Sequence, residues 1–212
     1  MNSLEKYLRP NRDGFSSDPF GYSALAWHKW GAAQTIAGFP VDISKPPTSD
    51  DLKSPILWLT QAHALSEAAR IILQNNPELA HLPNSVKGVC DCQYCATGLM
   101  LVGYSLEICL KAMLIMMKGI DVYTSEEKKY RHHRLEQLSE FVPGLNSKDK
   151  AMLKILTHFV YWAGRYPDPG SGREDDVEEV FAISEKHQIS ENDLFSLAEQ
   201  VMRHSQKVAG NE

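Results

Sequence analysis

The chain has no excess of positive charge: 22 Lys and Arg stand against 27 Asp and Glu, a net charge of −5 over 212 residues. Proteins that grip nucleic acid over a broad face carry a basic bias, so any such contact here has to come from a local patch. Cysteine is scarce, with four in all. The opening Met1-Asn2-Ser3-Leu4-Glu5-Lys6 is polar and reads against a secretory leader, so the expectation is a reducing cytoplasm and free thiols. There is no serine nucleophile elbow, no phosphate-cradling glycine loop and no His-Glu-x-x-His zinc motif, which removes the commonest short signatures of those chemistries. Internal repeats, sustained heptads and convincing strand pairs are also missing. The one long apolar run, Leu99 to Met117, approaches membrane length but holds Glu107 and Lys111 in its middle. A spanning helix would lose several kcal/mol by burying both in lipid, so the run is expected to be a core helix with no role in a membrane.

What remains reads as helix after helix. Residues 1–22, rich in Pro, Gly, Ser and Asp, are expected to form an irregular arm, followed by a short helix over Ala24–Ile36. A connector over 40–55 ends in Thr48-Ser49-Asp50-Asp51, a helix-start signal. From Pro55 to Gln74 the positions Ile56, Leu59, His63, Leu65, Ala69, Ile72 and Leu73 fit a helical stripe, which Asn75-Asn76-Pro77 stops. A loop over Leu79–Gly88 precedes a long helix from about Cys92 to Lys118, closed by Gly119. That helix is apolar nearly all round, which places it at the centre. Shorter helices follow over 135–141, from Ser147 to a break at Pro167, over 174–186 and over 190–207. The expected fold is all-α: an up-and-down bundle of five or more helices over 51–212, with an irregular extension and short helix over 1–50.

Three sets of residues carry chemistry. Cys90, Cys92 and Cys95 have thiols at intervals that can wrap a soft cation such as zinc, but lack an obvious fourth ligand. The alternative is that they are small apolar residues entering a buried helix. Lys128-Lys129-Tyr130-Arg131-His132-His133-Arg134 is the densest cationic segment and could hold phosphates and stack a base, although Glu126 and Glu127 dilute its field. His132 and His133 are also candidate acid–base groups. Glu107 and Lys111 lie at i,i+4 on one face of the apolar helix in the favoured order; buried charges there must be paired. They could pair with each other, or reach Arg165 and the histidines. His63, with Glu67, and His158 read as structural, and Trp27, Trp30, Trp58 and Trp162 as core anchors.

Glu107-x-x-x-Lys111 in the central helix, then His133-x-Leu135-x-x-Leu138, then Arg165-Tyr166-Pro167 closing a later helix, resemble in order and spacing the HEPN superfamily (higher eukaryote and prokaryote nucleotide-binding domains). The likeness covers roughly residues 55–207. It implies a small helical bundle, a homodimer, and a setting in toxin–antitoxin, phage-defence or RNA-processing systems, with an antitoxin or nucleotidyltransferase-type protein as possible partner. Catalytic members carry an Arg followed after four to six residues by a His. Arg165 matches the Arg, but Gly170, Ser171 and Gly172 stand where the His should fall. The expectation is therefore a non-catalytic module for RNA or nucleotide. In it Arg165 and Tyr166 meet a phosphate, Lys128, Lys129 and Arg131 supply the field, and Glu107 with Lys111 hold the cleft. The first alternative is a metal-independent RNase using Arg165 with a displaced His132 or His133. The second is an interaction protein stabilised by zinc at the three cysteines; otherwise no cofactor is expected.

Overall fold

The computed structural model describes residues 3–210 and divides the chain into two compact units, residues 1–57 and 58–212. Met1 and Asn2, the first residues of the polar opening, lie outside the described residues. Among the described residues every regular element is a helix, in accord with the all-α expectation.

The first unit is more regular than its composition suggests. Where an irregular arm is expected, three short helices form: α1 (Ser3–Leu8), α2 (Arg12–Ser17) and α3 (Pro19–Ala24), followed by α4 (Ala26–Ile36). The turn-forming residues act here as caps. The Asn11 side chain accepts the Gly14 N–H at 3.1 Å, and Asp18 accepts that of Gly21 at 2.9 Å with Pro19 at the first helical position, the place where a missing N–H costs nothing. Thr48 and Asp51 form the expected capping box ahead of α5 (Ser49–Leu52), each satisfying a backbone N–H of the other.

The second unit is built on α6 (Pro55–Gln74) and α7 (Asn84–Lys118). In α6 the deepest positions are Ala62 and Ala69, at 2% and 1% exposure, while His63, placed on the stripe by spacing, is exposed. The small residues let α7 approach closely enough for the Ser105 hydroxyl to donate to the Ala62 carbonyl at 2.7 Å. Helix α7 begins two turns earlier than expected, directly after Pro83, and runs through Gly88, at which an added Cβ would meet nothing within 4 Å. It ends as expected at Gly119, whose φ of 80° is the left-handed turn that glycine tolerates best.

Helix α7 is long and apolar enough to cross a membrane by length and composition alone, but 67% of its most apolar window is buried inside the protein. Leu106, Leu110 and Met113 are fully enclosed, and each such side chain stabilises the fold by about 1.5–3 kcal/mol.

Against α7 pack α8 (Ile120–Ser125), α10 (Leu135–Leu138), α11 (Ser147–His158) and α13 (Glu191–Val208), while α9 (Glu127–Tyr130) packs on α8 and α12 (Asp175–His187) on α11. Helix α13 meets α7 with Leu194, Leu197, Val201 and Ser205, all on one face. The single helix expected to run from Ser147 toward Pro167 changes character at Phe159, where residues Phe159–Ala163 form a π-helical turn. That turn lies tight on α7. A Cβ on Gly103 would come within 2.5 Å of Val160 Cγ2, and one on Gly164 within 2.3 Å of Met100 Cβ, so only glycine permits this closeness.

Candidate functional site

Glu107 is a carboxylate in the apolar middle of α7, at 5% exposure. A charge in that position is costly unless both oxygens are answered. Oε1 accepts Lys111 Nζ at 2.7 Å, one turn further along, and Oε2 lies 2.8 Å from His133 Nδ1. Lys111 is itself largely enclosed, with 12% of its side chain exposed, whereas His133 shows 38%. A carboxylate already paired with an ammonium accepts hydrogen bonds and donates none. Nδ1 of His133 therefore carries the proton toward Glu107, and Nε2 is left on the accessible side of the ring.

Local packing explains how a residue 26 positions downstream arrives there. Leu135 and Leu138, at 0% and 3% exposure, anchor α10 in the core. The Leu135 N–H, an orphan donor at a helix start, is taken by Thr157 Oγ1 at 3.1 Å from α11. This fixes the segment just before α10 over α7. The His133 ring then meets Tyr104 of α7 at 6.1 Å and Tyr161 of the π-helical turn at 5.9 Å, both edge-on, a favoured aromatic geometry. Tyr161 is half exposed, and the Arg173 guanidinium lies 5.1 Å from its ring centroid. Four separate parts of the chain thus meet: α7, the turn before α10, the π-helical turn and the Arg173 loop.

No family model, curated protein or solved structure matches this chain.

The other sequence candidates lie apart from this centre. Arg165 turns back on its own helix end, its Nη2 donating to the Tyr161 carbonyl at 2.5 Å and its guanidinium lying 5.4 Å from the Tyr166 ring. It caps the turn that carries Tyr161 rather than reaching Glu107 or His133. His132 accepts the Arg134 N–H through Nδ1 at 3.1 Å. Burial pushes its pKa below the ordinary imidazole value, with the nearby charges of Lys111 and Arg134 adding to the effect. It is a neutral turn-former beside the site, the reverse of what a phosphate contact needs.

Lys128 and Lys129 are exposed on α9, the latter with Nζ 5.6 Å from the Tyr130 ring centroid, and Arg131 pairs with Glu127 at 3.4 Å. Lys128–Tyr130 lie in α9, held there by Tyr130, which is buried and stacks on Tyr123 at 5.4 Å, whereas residues 131–134 form an irregular turn. Glu126 takes both Lys118, at 2.9 Å, and the Tyr130 hydroxyl, at 2.8 Å.

The cysteines do not converge. On one continuous helix, at about 100° per residue, Cys90 and Cys92 point roughly 160° apart. Cys92 and Cys95 are exposed and Cys109 is buried, with a thiol pKa pushed up by burial to about 11. Within one chain the three thiols do not face a common point, and among the described residues they are not part of a group that could hold a metal ion.

Among the described residues a different trio, His158, Asp176 and Glu179, brings ligand atoms within 4.8 Å of one another. Its members are already engaged. Trp162 Nε1–H points at His158 Nδ1 at 3.5 Å, which leaves the proton on Nε2 to donate to Glu179 at 3.0 Å. Lys154 pairs with Glu179, and Arg173 with Asp176 at 2.6 Å. A metal on Nε2 would need the opposite tautomer, so the trio reads as an ion-paired joint between α11 and α12. Arg173 was invisible as a site residue in the sequence. It follows Gly170-Ser171-Gly172 with no local motif, and only the folded loop brings it to Tyr161.

Proposed function

We propose that residues 58–212 form a HEPN-like module that binds RNA or a nucleotide at the accessible edge of His133. The observation that carries this reading is the meeting of Glu107, Lys111 and His133 through contacts of 2.7 and 2.8 Å, from two of the three signals on which the resemblance rests. Arg173 offers donors to a phosphate, His133 Nε2 offers an acceptor to a neighbouring hydroxyl, Tyr161 offers a half-exposed ring for a base, and Lys128, Lys129 and Arg131 add a positive field upstream. Arg165 and Tyr166 contribute by holding the turn that presents Tyr161. The same reading carries a cytoplasmic homodimer in a toxin–antitoxin, defence or RNA-processing setting, with an antitoxin or nucleotidyltransferase-type partner. The test is anisotropy with a labelled mixed-sequence RNA 12-mer and with ATP at low salt, where phosphate contacts are strongest. Binding weakened at least ~10-fold by Tyr161→Ala or Arg173→Ala is expected, on the scale of one lost stacking or charged contact. Absence of binding to either probe by the intact protein overturns the reading.

One observation favours a catalytic version. A buried carboxylate orienting Nδ1–H of a half-exposed imidazole leaves Nε2 placed as a general base. It would take the proton from an RNA 2′-hydroxyl as that oxygen attacks the adjacent phosphorus and the bond from phosphorus to the 5′-oxygen breaks, the leaving oxygen taking a proton from water, to give a 2′,3′-cyclic phosphate and a free 5′-hydroxyl. His133→Ala should then lower cleavage by at least ~100-fold; unchanged cleavage assigns the activity to a contaminant.

A further inference from the structure

Away from the His133 edge, α6, α7, α11, α12 and α13 leave a cavity of about 390 Å³ between them. Protein interiors are normally packed to crystal density, so an opening of this size into the apolar core is unusual. Its wall is aliphatic and aromatic, with Leu73, Leu99, Ile155, Phe159, Val180 and Leu194 among the residues lining it. Leu194 belongs to the core itself, and Leu73 and Leu99 pack against it. The polar groups in the lining are few: the hydroxyls of Ser184 and Ser190, the carboxylate of Glu191 and the thiol of Cys95. Ser190 is already committed, its hydroxyl donating to Asp193 at 2.6 Å and accepting the Asp193 N–H.

The lining contains no Lys, Arg or His. An anionic head such as a fatty-acid carboxylate would therefore meet Glu191 with no cation to answer it, and a long apolar body would meet only hydrocarbon. Small-molecule sites have this character, a mostly apolar concavity with a few convergent polar groups, and begin at about this size. At roughly 30 Å³ per non-hydrogen atom the volume accepts on the order of ten such atoms.

We infer that this cavity is a binding site for a small uncharged amphiphile, an alkyl or aryl body of about ten atoms with one neutral hydrogen-bonding head toward Ser184 and Glu191. The site is separate from the His133 edge, and its occupation requires no nucleic acid.

Cys95 supplies the readout. Cys95 is one of the residues lining the cavity, whereas Cys92, three residues earlier on α7 and likewise exposed, is outside the lining. The full-length protein is alkylated with N-ethylmaleimide and each cysteine is followed by peptide mass spectrometry, with octan-1-ol or octanoate present. Octan-1-ol at four times its Kd is expected to slow Cys95 about fivefold, from 1 + [L]/Kd, and to leave Cys92 unchanged. Octanoate at the same concentration is expected to protect less than half as well. Val180→Phe and Ile155→Phe, which fill the cavity, are expected to abolish the protection while the thermal transition is retained. Equal slowing at Cys92, no slowing by octan-1-ol near its solubility limit, or protection that survives both filling variants would each overturn the site. Equal protection by octanoate would overturn the assignment to an uncharged ligand.

Discussion

Replacing Glu107 with Gln removes one charge from a nearly closed pair without changing the shape of the side chain. The amide can still accept a hydrogen bond from His133, so the loss is concentrated on Lys111, whose ammonium is left with 12% of its side chain exposed and no anion at 2.7 Å. Breaking one partner out of a buried pair costs about 3–5 kcal/mol. For a protein of this size each kcal/mol lowers the melting temperature by about 2–4 °C, so a fall of roughly 6–20 °C is expected, with a matching loss in urea. Replacing both residues, as Glu107→Gln with Lys111→Met, removes both charges together and should recover most of the stability. The cycle should show a coupling of at least ~2 kcal/mol. A single-variant loss below ~1 kcal/mol, or strict additivity, would mean that water reaches Lys111 and that the pair does not organise the site.

Three further outcomes follow from particular contacts. Because burial depresses the His132 pKa, the unfolded chain takes up a proton near the ordinary value of 6.5 before the folded one does. Its contribution to stability is present above that pH and is lost as pH falls from 6.5 through the lower folded value, so His132→Gln should flatten this limb of a pH–stability curve. Asp193 is depressed to about 2, first by Lys148 and then by the Ser190 hydroxyl; its contribution is present above 3.8 and lost toward pH 2, a limb that Asp193→Asn should remove from acid titrations followed by circular dichroism. Gly164→Ala forces a Cβ to within 2.3 Å of Met100 Cβ, while Gly88→Ala meets nothing within 4 Å. The first should destabilise by about 1–3 kcal/mol and the second stabilise by up to ~1 kcal/mol, both measurable by urea denaturation.

Much of the bundle was legible because each boundary had a local cause. The limits of α6, Pro55 and Gln74, follow from the residues that flank it, and Gly119 marks the end of α7. The short helices α1 to α3 were not, because Asn, Asp and Pro serve helix caps and irregular turns equally well. The π-helical turn left no mark either: over five residues its apolar pattern is indistinguishable from that of an α-helix.

At the candidate site, the Glu107–Lys111 pair came from helical spacing alone. The approach of His133 depends on Leu135 and Thr157, and that of Arg173 on a loop closure, neither of which has a short-range signature. Arg165 shows the opposite failure. Its position matched a motif, yet the guanidinium donates to the Tyr161 carbonyl on its own turn.

The π-helical turn lies between the two proposed sites. Phe159 lines the apolar cavity, and Tyr161, two residues later, touches His133; between them Val160 is locked against Gly103. A turn of this kind holds one residue more than an α-helical turn, so tightening it would shift both rings at once. The cavity and the His133 edge therefore share a joint, and thermodynamics makes such sharing reciprocal. If both proposed ligands bind, then by whatever factor octan-1-ol changes the affinity for RNA, RNA must change the affinity for octan-1-ol by the same factor.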